Sequence, residues 1–211
     1  QGERTLSCDE MTGIQALERK APGLPLAPGK VKRREFEYIR HGTQALTVNL
    51  DVVTGHIILP TCGDTRTEKD FADHIKQTIE ADPKATKTHM VVDGLNTHKS
   101  ETLVKLIAEH EGMEIEIGKK GKYGILESME TRAVFLSDPN HKIVFHYTPT
   151  HASWMNQVEI WFSILVRKLL KRASFTSKEE LKNRLMAFID YFNQNMAKPF
   201  KWTYRGKVLA A

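Results

Sequence analysis

Apolar and polar positions change period along the chain. Residues 4–10, RTLSCDE, predict a short strand ending in acid. Residues 44–50, QALTVNL, and 56–60, HIILP, predict two more strands, joined by a hairpin turn over Asp51 to Gly55. From Thr67 the period lengthens, and Phe71, Ile75 and Ile79 recur four residues apart as one helical stripe. Residues 88–92, THMVV, form a compact apolar strand ending at Asp93, and Ser100 is placed to cap a helix carrying Leu103, Leu106 and Ile107. GKKGKYG (118–124) reads as a basic, glycine-rich turn, and ILESMETRAVFL (125–136) is compatible with a helix. IVFHY (143–147) predicts a last strand, stopped by Pro149. Two long helices follow. One runs from Trp154 to Lys171; the other opens at the capping-box pair Ser177 and Glu180 and carries Leu181, Leu185, Phe188 and Phe192 on one face.

The first two strands are separated by a long segment with Pro22, Pro25 and Pro28, Gly23 and Gly29, and then Lys30, Lys32, Arg33 and Arg34. Its prolines exclude helix and sheet interior, and it has little apolar content to pack on its own. A projecting basic loop over 20–37 is expected. A strand hairpin followed by alternating helices and strands predicts an α/β layer fold with a mixed sheet, one domain over 1–211.

Composition narrows the function classes. Of the 211 residues, 40% are hydrophobic and 27% charged, a balance that excludes disorder. No apolar run approaches the roughly 20 residues of a membrane helix, so no membrane partner is expected. The N-terminal QGERTLSCDE has no signal-peptide core. Cys8 and Cys62 make neither a disulfide framework nor a cysteine-rich zinc site, which points to a reduced, cytoplasmic compartment. The net charge of +5 is clustered: the basic end of the 20–37 loop, then Lys119, Lys120 and Lys122, then Arg167, Lys168, Lys171 and Arg172. Three clusters favour a polyanion such as DNA.

The acids carry the chemistry. Asp9 and Asp93 each follow an apolar strand segment, and ligands of open α/β sheets gather outside the carboxyl ends of strands. Glu159 lies on a polar stripe with Asn156, Ser163 and Arg167, beside the core stripe Val158, Phe162, Leu165 and Leu169. A carboxylate in such apolar surroundings is costly unless paired or metal-bound; the alternative is a half-exposed surface glutamate. Convergent carboxylates without a matching histidine or cysteine array suit hard cations, magnesium or manganese. Two such ions suit phosphodiester chemistry. Glu10 is the alternative first ligand, but strand alternation sends it and Asp9 to opposite faces.

Three stretches, CDEMTGIQALER (8–19), VVDGLNTHKS (91–100) and YTPTHASWMNQVEIWFSIL (147–165), resemble the DDE transposases of the IS630 group, related to Tc1/mariner. The tail over 172–202 is similar to the end of that family, so the likeness is colinear over nearly the whole chain. The resemblance implies an RNase H-like fold: a mixed five-stranded sheet flanked by helices, with an insertion over 118–141 between the fourth and fifth strands. It implies Asp9, Asp93 and Glu159 as catalytic and metal-binding residues holding two ions. It also implies cleavage at transposon ends, joining of the 3′-hydroxyl to target DNA at TA, and a homodimer in the active complex. The family's helix-turn-helix region would precede residue 1. In a bacterium the expected place is the nucleoid. Gly94 stands where many relatives carry asparagine, and the Asp93–Glu159 interval exceeds the compact spacing common in the group.

Around the acids, Asn96, His98 and Asn156 are candidates to orient ligands, and His151 is a further candidate. Lys32, Arg33, Arg34, Lys99, Lys119, Lys120 and Arg167 are candidate phosphate contacts. Trp154 and Trp161 are expected in the core. His146 and His151 have no zinc-like partners in the sequence, so no zinc site is expected. The other functions open to such a chain are a structure-specific nuclease of the same fold and a non-cleaving DNA-binding protein.

Overall fold

The computed structural model describes residues 2–33, 35–149 and 152–201. The elements run β1 (Glu3–Arg19), β2 (Tyr38–Asp51), β3 (Ile57–Gly63), α1 (Glu68–Glu80), β4 (Lys87–Val92), α2 (Glu101–His110), α3 (Met129–Leu136), β5 (Ile143–Tyr147), α4 (Val158–Leu165) and α5 (Lys178–Asn195). They form one five-stranded sheet in the order β3-β2-β1-β4-β5. β1 pairs antiparallel with β2 and parallel with β4; β2 and β3 are antiparallel, β4 and β5 parallel. This is the mixed sheet flanked by helices that the sequence predicts.

Each face of the sheet has its own core. Leu6, Cys8, Met90, Val92 and Phe145 pack with Phe71 and Ile75 of α1 and Leu103 and Ile107 of α2. Leu46, Val48 and Leu50 pack with Val158, Trp161, Phe162 and Leu165 of α4 and Leu181, Leu185, Ile189 and Phe192 of α5. β1 serves both, because its alternation is broken once. Met11 pairs with Leu46 and Ile14 with Gln44, so β1 carries an extra residue there, and Gly13 takes φ 66°. Before this bulge the even residues Leu6 and Cys8 face α1 and α2; beyond it Ile14 and Ala16 face α4 and α5.

Three expectations are corrected. β1 does not end at Asp9 but continues to Arg19, with Asp9 mid-strand opposite Val48. The 20–37 segment, expected as a projecting loop, is paired across its two limbs. It prolongs the β1–β2 hairpin through bridges Leu24↔Arg33 and Ala27↔Lys30, and closes where Lys30 N donates to Ala27 O at 2.9 Å. Pro28 followed by Gly29 at φ 72° supplies the central pair of a type II turn. It also has more apolar surface than expected: Leu24, Leu26, Val31 and Phe36 are all exposed. The helix predicted over 154–171 is three pieces: a 3-10 turn Ser153–Met155, then α4, then a π-helical turn Val166–Leu170. Its start is set from outside the segment, since Val158 N donates to Ser7 Oγ at 2.9 Å. Trp161 is fully buried, whereas Trp154 is 46% exposed rather than in the core.

Ser128 caps α3, and the helix is shorter than the 125–136 stretch that predicts it. Ser177 caps α5 through Glu180 N, but the Glu180 carboxylate accepts from Thr176 instead of closing the box on Ser177. Among the described residues no helix is long and apolar enough to cross a membrane.

Candidate active site

Asp9, Asp93 and His98 bring one ligand atom each within 4.8 Å of one another, the one such group of histidine, cysteine and acidic residues among the described residues. β1 supplies Asp9 on the face of α4. Asp93 immediately follows β4, and a 3-10 turn, Asn96–Lys99, returns His98 over it.

His98 is completely buried. Its Nε2 donates to Glu10 Oε2 at 2.8 Å and its Nδ1 to Asp93 Oδ1 at 2.7 Å. The Phe71 ring lies 4.3 Å from the imidazole, centroid to centroid. Burial lowers the His98 pKa, but its hydrogen bonds to Asp93 and Glu10 outweigh this and push it up to about 10. The ring is held between two carboxyl groups, one on each nitrogen. Burial also acts to raise Asp93, yet the hydrogen bond and charge of His98, with Leu95 N, hold it below the usual carboxylate range. Glu10 thus takes the face opposite Asp9, as alternation requires, and reaches the site only through His98. No motif spacing could reveal that link, because β1 and the turn meet across 88 residues.

Asp9 is in the contrary position. It is 7% exposed and accepts one backbone bond, from Glu10 N at 2.7 Å. Burial, reinforced by the Asp93 charge and opposed by that backbone bond, pushes its pKa up to about 7. Asn156 stands beside it, fully buried. Its Nδ2 donates to Cys8 O at 2.9 Å and approaches Asp9 Oδ2 at 3.4 Å, while Ser7 Oγ donates to its Oδ1. Glu159, half-buried in the first turn of α4, stands outside the 4.8 Å group, but burial and the charge of Asp93 both raise its pKa.

The donor set fits a divalent cation. Among the described residues no lysine, arginine or histidine side chain pairs with the buried Asp9 carboxylate, and the Asp93 charge nearby raises its pKa further. Such a group is relieved by positive charge at Asp9 and Asp93. Oxygen donors from two or three acids suit magnesium or manganese.

The remaining candidates are scattered. Asn96 is exposed at the start of the turn and makes no hydrogen bond to either acid among the described residues, so the orienting position expected of it is not built. Lys99 lies over the Tyr147 ring, 4.6 Å from its centroid, and a Cβ on Gly94 would stand 3.7 Å from its Nζ. A β-carbon at position 94 would therefore fit, and glycine there opens space beside Lys99. Lys32 and Arg33 are on the exposed arm; Lys119 and Lys120 lie on the 118–124 turn, Lys120 pairing with Glu68 at 3.4 Å. Arg167 is exposed on the π turn. Arg34 and His151 fall outside the described residues.

Nothing among the curated proteins matches the chain. Solved structures of the Mos1 mariner transposase share the RNase H-like fold. Its paired end complex with Mn aligns at 13% identity and TM-score 0.55, over 89% of this chain and 48% of that one. Its paired-end complex with left transposon end aligns at 12% and 0.55 over the same shares, and its pre-cleavage transpososome at 13% and 0.54. The chain spans about half the length of those proteins. Residues 4–182, from β1 into α5, match the family described as DDE superfamily endonuclease, and the chain belongs to that family.

Proposed function

We propose that the chain is the catalytic domain of a DNA transposase that cuts element ends and joins the freed 3′-hydroxyl to target DNA, with TA as target. The observation that carries this is the convergence of buried Asp9 with Asp93, held by the His98–Glu10 pair, inside a domain of the DDE endonuclease family. Asp9, Asp93 and Glu159 would hold two magnesium or manganese ions. When bound, such ions activate the attacking oxygen and stabilise the leaving one. The protein's part is positional. His98 fixes the Asp93 carboxylate through Nδ1, Tyr147 Oη fixes the turn by donating to His98 O at 2.9 Å, and Asn156 ties Asp9 to the start of α4.

The basic clusters suit duplex phosphate, and binding by them is salt-sensitive and indifferent to sequence. The arm fits a second protomer or its DNA: it lies outside both cores and exposes Lys32 and Arg33 beside Leu24 and Leu26. Mos1 has been solved in paired-end complexes, which supports a dimer on two DNA ends as the active form here.

The test is cleavage and strand transfer measured side by side. Asp93→Asn and Glu159→Gln should fold and leave both reactions at background in magnesium; wild-type cutting by either variant overturns the assignment. Hydrolysis without joining by the wild type identifies a nuclease instead, and binding without cutting a DNA-binding protein. Deleting residues 22–31 should spare single-end cutting and impair paired-end assembly.

A further inference from the structure

A second group of ligating side chains lies away from the acids. His89 and His146 sit on the neighbouring parallel strands β4 and β5, in diagonal register, since His89 pairs with Val144 and His146 with Val91. Both alternate away from Met90, Val92 and Phe145, so they share the sheet face opposite α1 and α2. His89 Nδ1 and His146 Nε2 are 2.9 Å apart. On the far side of the first ring, Glu3 Oε2 of β1 lies 3.7 Å from His89 Nε2.

We propose that His89 and His146, with Glu3 behind them, form a transition-metal site that takes zinc or nickel rather than magnesium. Two imidazole nitrogens on one tetrahedral zinc, each about 2.0–2.1 Å from the metal, stand about 3.3 Å apart. The observed separation is a few tenths of an ångström short of that, so a small rotation of two half-exposed rings admits the ion between them. Glu3 Oε2, at 3.7 Å, is too far for a direct hydrogen bond, but its negative charge favours the Nε2–H tautomer of His89, which leaves the Nδ1 lone pair free. In the metal-free pair His146 Nε2 then carries the shared proton. Metal binding moves that proton to the His146 Nδ1, and water completes the shell. Burial lowers the His146 pKa, which favours the neutral, ligating ring. Nitrogen donors select zinc, nickel or copper, while the oxygen donors around Asp93 select magnesium or manganese. His89 precedes Asp93 by four strand positions, roughly 13 Å at the rise of a β-strand, so the two sites are separate. In the sequence His146 has no visible partner, because the partner is 57 residues away and only the β4–β5 register delivers it.

The experiment is a zinc titration of the whole chain, stripped with chelator and held in excess magnesium, against a chromophoric zinc chelator. One zinc per chain is expected for the wild type and for an Asp9→Asn, Asp93→Asn double variant. His89→Gln and His146→Gln should each lose it, and Glu3→Gln should weaken it by at least about tenfold. Thermal unfolding without metal verifies that each variant is folded, and zinc should raise the melting temperature of the wild type but not of His146→Gln. No zinc bound by the wild type overturns the site. So does binding that survives both histidine substitutions, or that disappears with the two aspartates. Unchanged affinity in Glu3→Gln removes the carboxylate from it.

Discussion

The arm over 20–37 and the insertion over 118–141 share a sequence signature: each carries a basic, glycine-bearing stretch between regular elements. In the structure they are opposites. The arm places Leu24, Leu26, Val31 and Phe36 in solvent and joins neither core. The insertion buries Leu126 and Leu136 against α1 and α2, with Ile125 and Phe135 partly covered. It also buries Arg132, whose Nε donates to Lys99 O at 2.6 Å and whose Nη1 donates to Leu126 O at 3.1 Å. Apolar content is therefore a poor guide to which irregular segment belongs to the domain. What matters is whether the flanking elements aim the segment back at the sheet. The arm continues two paired strands outward, whereas the insertion leaves α2 and must return to β5 beside it.

The contrast sets the size of four expected effects. Leu136→Ala opens a cavity in the α1–α2 core and should cost about 3 kcal/mol in urea unfolding. Arg132→Met leaves two carbonyls, one buried and one partly buried, without their donor and should cost about 2 kcal/mol. Because one of them is Lys99 O, at the end of the turn that carries His98, this variant should also lose part of the melting-temperature rise produced by magnesium. A full rise would make the insertion a mere filler.

The arm should answer differently. Gly29→Val forces a β-branched residue into φ 72° and should cost about 1–2 kcal/mol, felt only at the turn. Amide exchange at Leu24 and Ala27 should quicken while the global midpoint stays put; a shifted midpoint would mean the arm folds with the domain. Smallest of all, Leu26→Ser should change stability by less than about 0.5 kcal/mol. A larger loss would show that the exposed leucine is packed in solution.

Much of the fold was legible because its signals are local. Thr67, Ser100 and Ser177 each cap the helix that follows, and Asp51 accepts from Val53 N and Thr54 N in the turn where the sequence places one. The third to fifth strands lie within a few residues of their apolar runs. The errors share a different cause. β1 was cut short because the bulge at Gly13 reverses which residues face inward, so the alternating pattern dissolves although the strand goes on. The start of α4 was misplaced because its first free amide is satisfied by Ser7, from another element altogether. At the site, Asp9 and Asp93 could be picked out one by one, but the Glu10–His98–Asp93 chain could not, since it exists only after β1 and β4 are side by side.

The hydrogen bond from Val158 to Ser7, spanning 151 residues, has a consequence in time. During synthesis the strand carrying Asp9 emerges first and the segment carrying Asn156 and Glu159 far later. Closing so distant a contact is entropically slow, and it cannot begin until the late segment has left the ribosome. The first acid therefore waits, without Asn156 beside it, through most of translation. A nascent chain therefore presents the basic arm, with Lys32 and Arg33, before its acid centre is assembled. The order of synthesis alone thus leaves the acid centre unfinished until the segment that carries α4 has been made.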